Sequence, residues 1–308
     1  MIKKTAIIGK GGVGLLYGGI IERALGHDAV EYVMDDARYT RHAGDVYRIN
    51  GETRDFTTVP ASEAAPVDLV ILTVKATGLD VALDTMEALV GPNTRIISLL
   101  NGIRSEELIA ERFGWERTVR AVCQGMDAVF FGTELTYTHA GQICFGAARD
   151  AEGRSLTGDG VVEDIDNLLC RAGIDHVVED DALKRQWAKL MLNVGVNQTC
   201  MAFGGTYGSV SAPGEQNRTF IAAMREVIAV AGAEGVALTE ADLSSMAALI
   251  AGLDPAGMPS MAQDRIARRR SEVAEFAGTI VERAERAGIL VPTNRWLLAR
   301  IHEIEAAY

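Results

Sequence analysis

The chain has 308 residues, 48% of them apolar, and a formal net charge of −12. That length exceeds one ordinary hydrophobic core and predicts two domains of about 150 residues each. The acidic balance argues against a nucleic-acid partner, whose phosphates need a basic face, and no apolar run approaches the ~20 residues that cross a bilayer. Met1-Ile2-Lys3-Lys4 leads into a strand without a cleavage site, so a cytoplasmic protein with no membrane partner is expected. Cys123, Cys144, Cys170 and Cys200 lie far apart, with no CxxC pair and no His at ligand spacing. Buried free thiols and no metal site are expected. The Arg268-Arg269-Arg270 run reads as a solvated helix face.

Over the first third, short runs rich in branched residues alternate with helical stretches, the pattern of a parallel sheet with crossover helices. Strands are predicted over 5–9, 30–34, 68–75 and 94–100, and the first helix over 15–25. Closely spaced strands follow at 118–122, 128–131, 135–139 and 142–145, broken at Gly132 and Gly141, and read as hairpins appended to the sheet. A helix over 160–172 and a strand near 176–178 complete a first domain of residues 1–180. From 181 to 308 the alternation stops, and helical periods cover 187–203, 217–234, 240–253, 261–270, 272–287 and 294–307. The fold class is therefore α/β followed by all-α.

Gly9-Lys10-Gly11-Gly12-Val13-Gly14 follows the first strand and opens the first helix, the context in which a GxGxxG turn binds a dinucleotide. Gly9 permits the tight turn, Gly11 lets a pyrophosphate approach the backbone, and Gly14 lets helix and strand pack closely. Unpaired amides and the helix dipole attract the phosphates. Lys10 either adds a charge there or is an exposed bystander. The second strand ends in Met34-Asp35-Asp36, where an acid hydrogen-bonds the adenosine ribose and disfavours a 2′-phosphate, which points to NAD. Arg38 and Arg41, a turn or two on, leave NADP open, and Asp36 reads as a helix cap.

Lys75 and Asn101-Gly102 end two later strands, and open α/β sheets bind ligands at carboxyl ends of strands. In Trp187-Ala188-Lys189-Leu190-Met191-Leu192-Asn193-Val194-Gly195-Val196-Asn197, the polar Lys189, Asn193 and Asn197 recur every fourth position on one helix face. Burying them unpaired costs several kcal/mol, so the face meets either a ligand or another helix through a hydrogen-bond ladder. Pro259-Ser260-Met261-Ala262-Gln263 has capping-box spacing, which makes Ser260 a helix start. Glu272 lies 12 positions on, ~18 Å along an unbroken helix. To share a site with Ser260 it needs a break near Arg270 and Ser271, with Ser271 as a new cap; otherwise it is a first-turn surface acid.

Taken in order, the glycine turn, Val74-Lys75-Ala76, Leu100-Asn101-Gly102, the Trp187-x-Lys189-x-x-x-Asn193-x-x-x-Asn197 helix, Pro259-Ser260-Met261 with Asp264, and Ser271-Glu272-Val273 resemble the ketopantoate reductase (2-dehydropantoate 2-reductase) family over nearly the whole chain. The resemblance implies a Rossmann-type N-terminal domain, a helical C-terminal domain like that of 6-phosphogluconate dehydrogenase, and a site in the cleft between them. It implies reduction of 2-dehydropantoate to pantoate with NADPH, on the route to pantothenate and coenzyme A. Lys189 would be the general acid and Glu272 its assistant, with Asn193, Asn197 and Ser260 on the substrate. Lys75 and Asn101 match residues at the junction of cofactor and substrate, beside Gly9, Gly11, Gly12, Val13, Gly14 and Asp35 on the cofactor.

Three positions depart from the family pattern. Asp35 stands where Arg is usual, Ser271-Glu272-Val273-Ala274 replaces Thr-Glu-Ile-Asp, and Ile103-Arg104-Ser105 forms an atypical loop. These fit a paralogue acting on another small 2-oxo acid. A non-catalytic dinucleotide-binding sensor and a dehydrogenase of a phosphorylated alcohol are the other readings, and a homodimer is left open.

Overall fold

The computed structural model describes every residue of the chain except Ala43. It divides into two compact units, Met1–Ala182 and Leu183–Tyr308.

The first unit opens with β1 (Thr5–Ile8), α1 (Gly12–Leu25), β2 (Val30–Met34), α2 (Asp36–His42), β3 (Tyr47–Ile49), β4 (Glu52–Arg54) and β5 (Thr58–Pro60). It continues through β6 (Leu69–Leu72), α3 (Leu79–Met86), β7 (Arg95–Ser98), α4 (Ser105–Phe113) and β8 (Thr118–Gln124). The last elements are β9 (Val129–Phe131), β10 (Glu134–Thr136), β11 (Gln142–Ala147), α5 (Val161–Ala172) and β12 (His176–Val178). Eight strands form one sheet in the order β12-β11-β8-β7-β6-β1-β2-β5, parallel throughout except where β11 meets β8. From β1 the chain builds outward to β2 and β5, then returns to build β6, β7 and β8 on the other side. The order therefore reverses between β1 and β6, where such sheets leave a crevice at their carboxyl ends.

Helices cover both faces of this sheet, so its central strands are apolar without alternation. Ile7, Ile71 and Ile97 pack in one layer with Leu15 and Leu16 of α1 and Ile165 of α5. Ala6, Leu72 and Ile96 face the other way, with Leu83 and Met86 of α3 and Ile109 of α4.

The expected hairpins after residue 118 only partly extend this sheet. β8 and β11 do, with Cys123 opposite Ile143. β9 and β10 instead join a separate four-stranded sheet, β4-β3-β10-β9. Its other two strands, and β5, lie over residues 47–60, where no strand was expected.

The second unit is helical: α6 (Ala182–Phe203), α7 (Tyr207–Ser211), α8 (Glu215–Ala233), α9 (Glu240–Ala251), α10 (Ser260–Ile266), α11 (Thr279–Ala287) and α12 (Pro292–Ala306). Two expectations fail here. α10 stops at Ile266 and Arg268 takes a positive φ of 50°, so the arginine run is an exposed connection rather than a helix face. The helix expected from 272 begins instead as a π turn over Ala274–Gly278, closed by the Gly278 N–H on the Val273 carbonyl at 3.0 Å. Among the cysteines, Cys170 is exposed and the other three are buried. Among the described residues, no helix is long and apolar enough to cross a membrane.

Candidate active site

The glycine turn lies at the carboxyl end of β1, beside the switch point. Gly9 has φ 115°, and a Cβ there would stand 2.6 Å from the Thr73 carbonyl carbon. A Cβ on Gly14 would stand 1.9 Å from the Gly9 oxygen, so both glycines are demanded by the turn itself. Gly11 differs: a Cβ there would meet nothing within 4 Å. Its bare backbone faces open space at the N-terminus of α1. Gly12 and Val13 begin α1, where Gly12 faces Phe130 of β9. Thr73 locks the turn by donating to the Gly9 carbonyl at 2.8 Å. Sequence reading missed this residue, whose only signal is a hydroxyl ending an apolar strand.

A shallow recess adjoins the turn, lined by Gly9, Lys10, Met34, Asp35, Arg38 and Val81 among others. Asp35, not Asp36, caps α2, its Oδ1 accepting from the Arg38 backbone N–H at 2.8 Å. Asp36 is drawn instead to the Ser62 N–H, 3.1 Å away. The recess thus presents a fixed carboxylate at the end of β2. Lys10 is half-buried rather than the exposed side chain considered from sequence. Its ammonium donates to Thr58 Oγ1 at 2.8 Å and lies 4.3 Å from the Tyr47 ring centroid and 5.1 Å from that of Tyr32. Burial pushes its pKa down to about 8, against the opposing pull of Asp45 and Asp55.

Lys75 and Asn101 follow β6 and β7, the strands next to β1 on that side. Lys75 is exposed and precedes a short turn closed by the Gly78 N–H on its carbonyl at 2.8 Å. Asn101 is half-buried beside Gly102, whose φ is 98°.

In the second unit, Lys189, Asn193 and Asn197 lie along α6, the first two half-buried and the third buried. Asn197 organises the face. Its Nδ2 donates to Asn193 Oδ1 at 3.1 Å, while its Oδ1 accepts from Ser260 Oγ at 3.1 Å and from the Met261 N–H at 3.3 Å. Ser260 therefore does not cap α10. Pro259 occupies the cap position without a side-chain bond, and the Ser260 hydroxyl is committed to Asn197 across 63 positions of sequence. With its oxygen engaged, Asn193 keeps its amide hydrogens as donors.

Glu272 lies in the break between α10 and the π turn, its carbonyl accepting from the Glu275 N–H at 3.0 Å. The break that a shared site requires exists, although it begins at Arg268, earlier than expected. Ser271 helps to shape it: its N–H and Oγ both donate to Glu305 Oε1, at 2.8 and 2.6 Å, and its Oγ accepts from the Val273 N–H at 3.4 Å. The π turn is tied to α6 by the Ala277 N–H on Gln198 Oε1 at 2.8 Å. An irregular turn of this kind recurs at functional sites because it re-aims the residues around it.

Two family models match in succession. Ketopantoate reductase PanE/ApbA covers residues 5–149, and Ketopantoate reductase PanE/ApbA C terminal covers residues 181–305. The chain belongs to the ketopantoate reductase family. It is an oxidoreductase of the 2-dehydropantoate 2-reductase type, with a Rossmann-type domain followed by the family's helical domain. A 2-dehydropantoate 2-reductase of Halobacterium salinarum (strain ATCC 700922 / JCM 11081 / NRC-1) is 27% identical, with 96% of each chain covered. The crystal structure of 2-dehydropantoate 2-reductase from Geobacter metallireducens GS-15 is 26% identical with a TM-score of 0.82, covering 97% of this chain and 99% of that one. D-mandelate dehydrogenase, solved with NADH and anilino(oxo)acetate, shares the fold at a TM-score of 0.84 and 21% identity, with 99% of each chain covered.

Proposed function

We propose that this protein reduces a small 2-oxo acid, with 2-dehydropantoate the leading substrate and pantoate its product, and that it takes NADH in preference to NADPH. One observation carries the reading: the hydrogen-bonded chain Asn193–Asn197–Ser260, which continues along α6 from the cation Lys189 on the same helix face. A 2-oxo acid offers what such a face can hold, a ketone beside a carboxylate.

Reduction of the ketone places negative charge on its oxygen, which must be met by a proton as the charge forms. A nicotinamide dinucleotide, when bound, supplies the hydride. Lys189 donates the proton, Glu272 assists it, and Asn193, Asn197 and Ser260 hold the polar groups of the substrate. The bare Gly11 backbone fits the pyrophosphate, and Lys75 and Asn101 serve the junction of cofactor and substrate. The fixed Asp35 carboxylate accepts from a ribose hydroxyl and repels a 2′-phosphate. NADH in the D-mandelate dehydrogenase structure supports the same choice.

A second reading, a paralogous reductase of a different 2-oxo acid, is favoured by Ala274 where the family carries an acid beside the catalytic pair. The cytoplasm, the pantothenate route and a homodimer belong to the proposal. Steady-state rates with 2-dehydropantoate and a series of 2-oxo acids, each with NADH and NADPH, test it. Efficient turnover of 2-dehydropantoate with NADH is expected. A superior rate with another 2-oxo acid moves the assignment to the paralogue, and failure of every oxo acid despite tight dinucleotide binding replaces it with a sensor.

A further inference from the structure

At the far edge of the main sheet, three residues without a place in the reductase reading converge. Asp166 and Cys170 stand four apart on α5 and so share a face. The turn after α5, closed by the Gly173 N–H on the Cys170 carbonyl at 3.1 Å, brings β12 back beside that face and His176 with it. His176 Nε2 is 3.0 Å from Asp166 Oδ1 and 3.7 Å from Cys170 Sγ, and all three ligand atoms lie within 4.8 Å of one another. We propose that Asp166, Cys170 and His176 form a three-ligand site for a zinc-like divalent cation, which clips α5 to the edge strand β12.

Three features favour a metal over a chance cluster. The first is the imidazole's orientation: Nδ1 donates to the Ile174 carbonyl at 2.6 Å, which turns Nε2 toward the other two ligands. A carbonyl on the opposite nitrogen is how metal-binding histidines are held in tautomer and direction. The second is spacing. Tetrahedral zinc bonds of about 2.3 Å to sulfur and about 2.0–2.1 Å to nitrogen or oxygen place ligand atoms roughly 3.3–3.6 Å apart, and the observed edges bracket that range. The third is access and charge. His176 is largely enclosed, its side chain 11% exposed, whereas Asp166 is 40% exposed and Cys170 opens to solvent. A cation can therefore enter from one side and complete its shell with water. One thiolate, one carboxylate and a neutral imidazole balance a double positive charge.

Sequence spacing hides this site, because Cys170 and His176 belong to different elements and only the turn at Gly173 unites them. Five strand spacings, roughly 24 Å, separate β12 from β1, so the clip is remote from the glycine turn and needs no part in the reaction.

The experiment uses the whole chain, reduced and stripped with a chelator, then titrated calorimetrically with Zn²⁺ and, as a spectroscopic probe, with Co²⁺. One Zn²⁺ per chain is expected, together with a rise in unfolding temperature and a thiolate-to-cobalt charge-transfer band. Cys170→Ser removes one exposed ligand atom without removing volume and carries the decision. It should weaken Zn²⁺ at least about tenfold, as loss of a ligand does, and abolish the band while dinucleotide binding stays unchanged. Asp166→Asn should weaken Zn²⁺ in the same direction. Zn²⁺ affinity unaltered by both substitutions, a cobalt adduct without the thiolate band, or no binding at all would each overturn the proposal, leaving His176 and Asp166 as a simple polar pair.

Discussion

The glycine turn of the first unit and the polar face of α6 in the second use the chain in opposite ways. In the turn, side chains are withheld: at Gly9 and Gly14 a Cβ would strike backbone, whereas at Gly11 it would meet nothing within 4 Å, so the space beside that residue is open. Within α6 the backbone groups are consumed by the helix, so whatever that face recognises must be met by side chains held by other side chains. The Asn193–Asn197–Ser260 chain does this. On the proposed function, a dinucleotide common to many enzymes would be held by main chain, with the discriminating chemistry left to replaceable residues.

The strongest way to break this comparison is to remove the cation. Lys189→Ala should lower turnover at least ~100-fold, as loss of a general acid does, with dinucleotide affinity unchanged in a fluorescence titration. Near-normal turnover would end the acid role; a parallel loss of dinucleotide affinity would show that the two regions are not separable. Asn197→Leu attacks the support instead. It strips the exposed Ser260 Oγ and the buried Met261 N–H of their acceptor, and the buried N–H left unpaired costs ~1–3 kcal/mol in urea unfolding. An unchanged midpoint would mean that the ladder does not hold the face. In the turn, Gly11→Ala should leave stability within ~0.5 kcal/mol yet weaken dinucleotide binding about tenfold or more, while Gly14→Ala should lose both fold and binding. If Gly11→Ala binds normally, the open space beside it is not the pyrophosphate cradle.

The same contrast governs what the sequence discloses. The glycine turn is legible because its residues are contiguous and each obeys a local steric demand. The strands of the main sheet are legible because burial on both faces leaves unbroken apolar runs, although the strand expected over 68–75 is shorter, its ladder to β7 ending at the pair Leu72 with Ser98. On α6 the stripe shows in the fourfold spacing, but its partner does not, since Ser260 is 63 positions away and its capping-box pattern suggested a different bond. Asp35 and Asp36 are adjacent and chemically alike, so only the backbone entering α2 decides which of them caps it. Cys170 and His176 show the limit: nothing in their spacing announces contact.

The smallest expected effect lies beside the turn, at the half-buried Lys10. Its pKa falls from 10.5 to about 8 because burial disfavours the charged form. Below pH 8 it is charged in both folded and unfolded chains, so the folded state bears the full penalty. Between 8 and 10.5 the folded protein sheds this proton first, the unfolded chain binds more protons, and stability rises with pH. Lys10→Met keeps a long apolar stem between Tyr32 and Tyr47 and removes the charge. It should raise the unfolding temperature by ~2–4 °C at pH 7, and the gain over the parent should shrink as pH climbs from 8 to 10.5. A gain that stays constant with pH would assign the effect to packing. A loss at pH 7 would show that the Thr58 bond and the ring contacts outweigh the burial of the charge, making Lys10 a cation the turn requires.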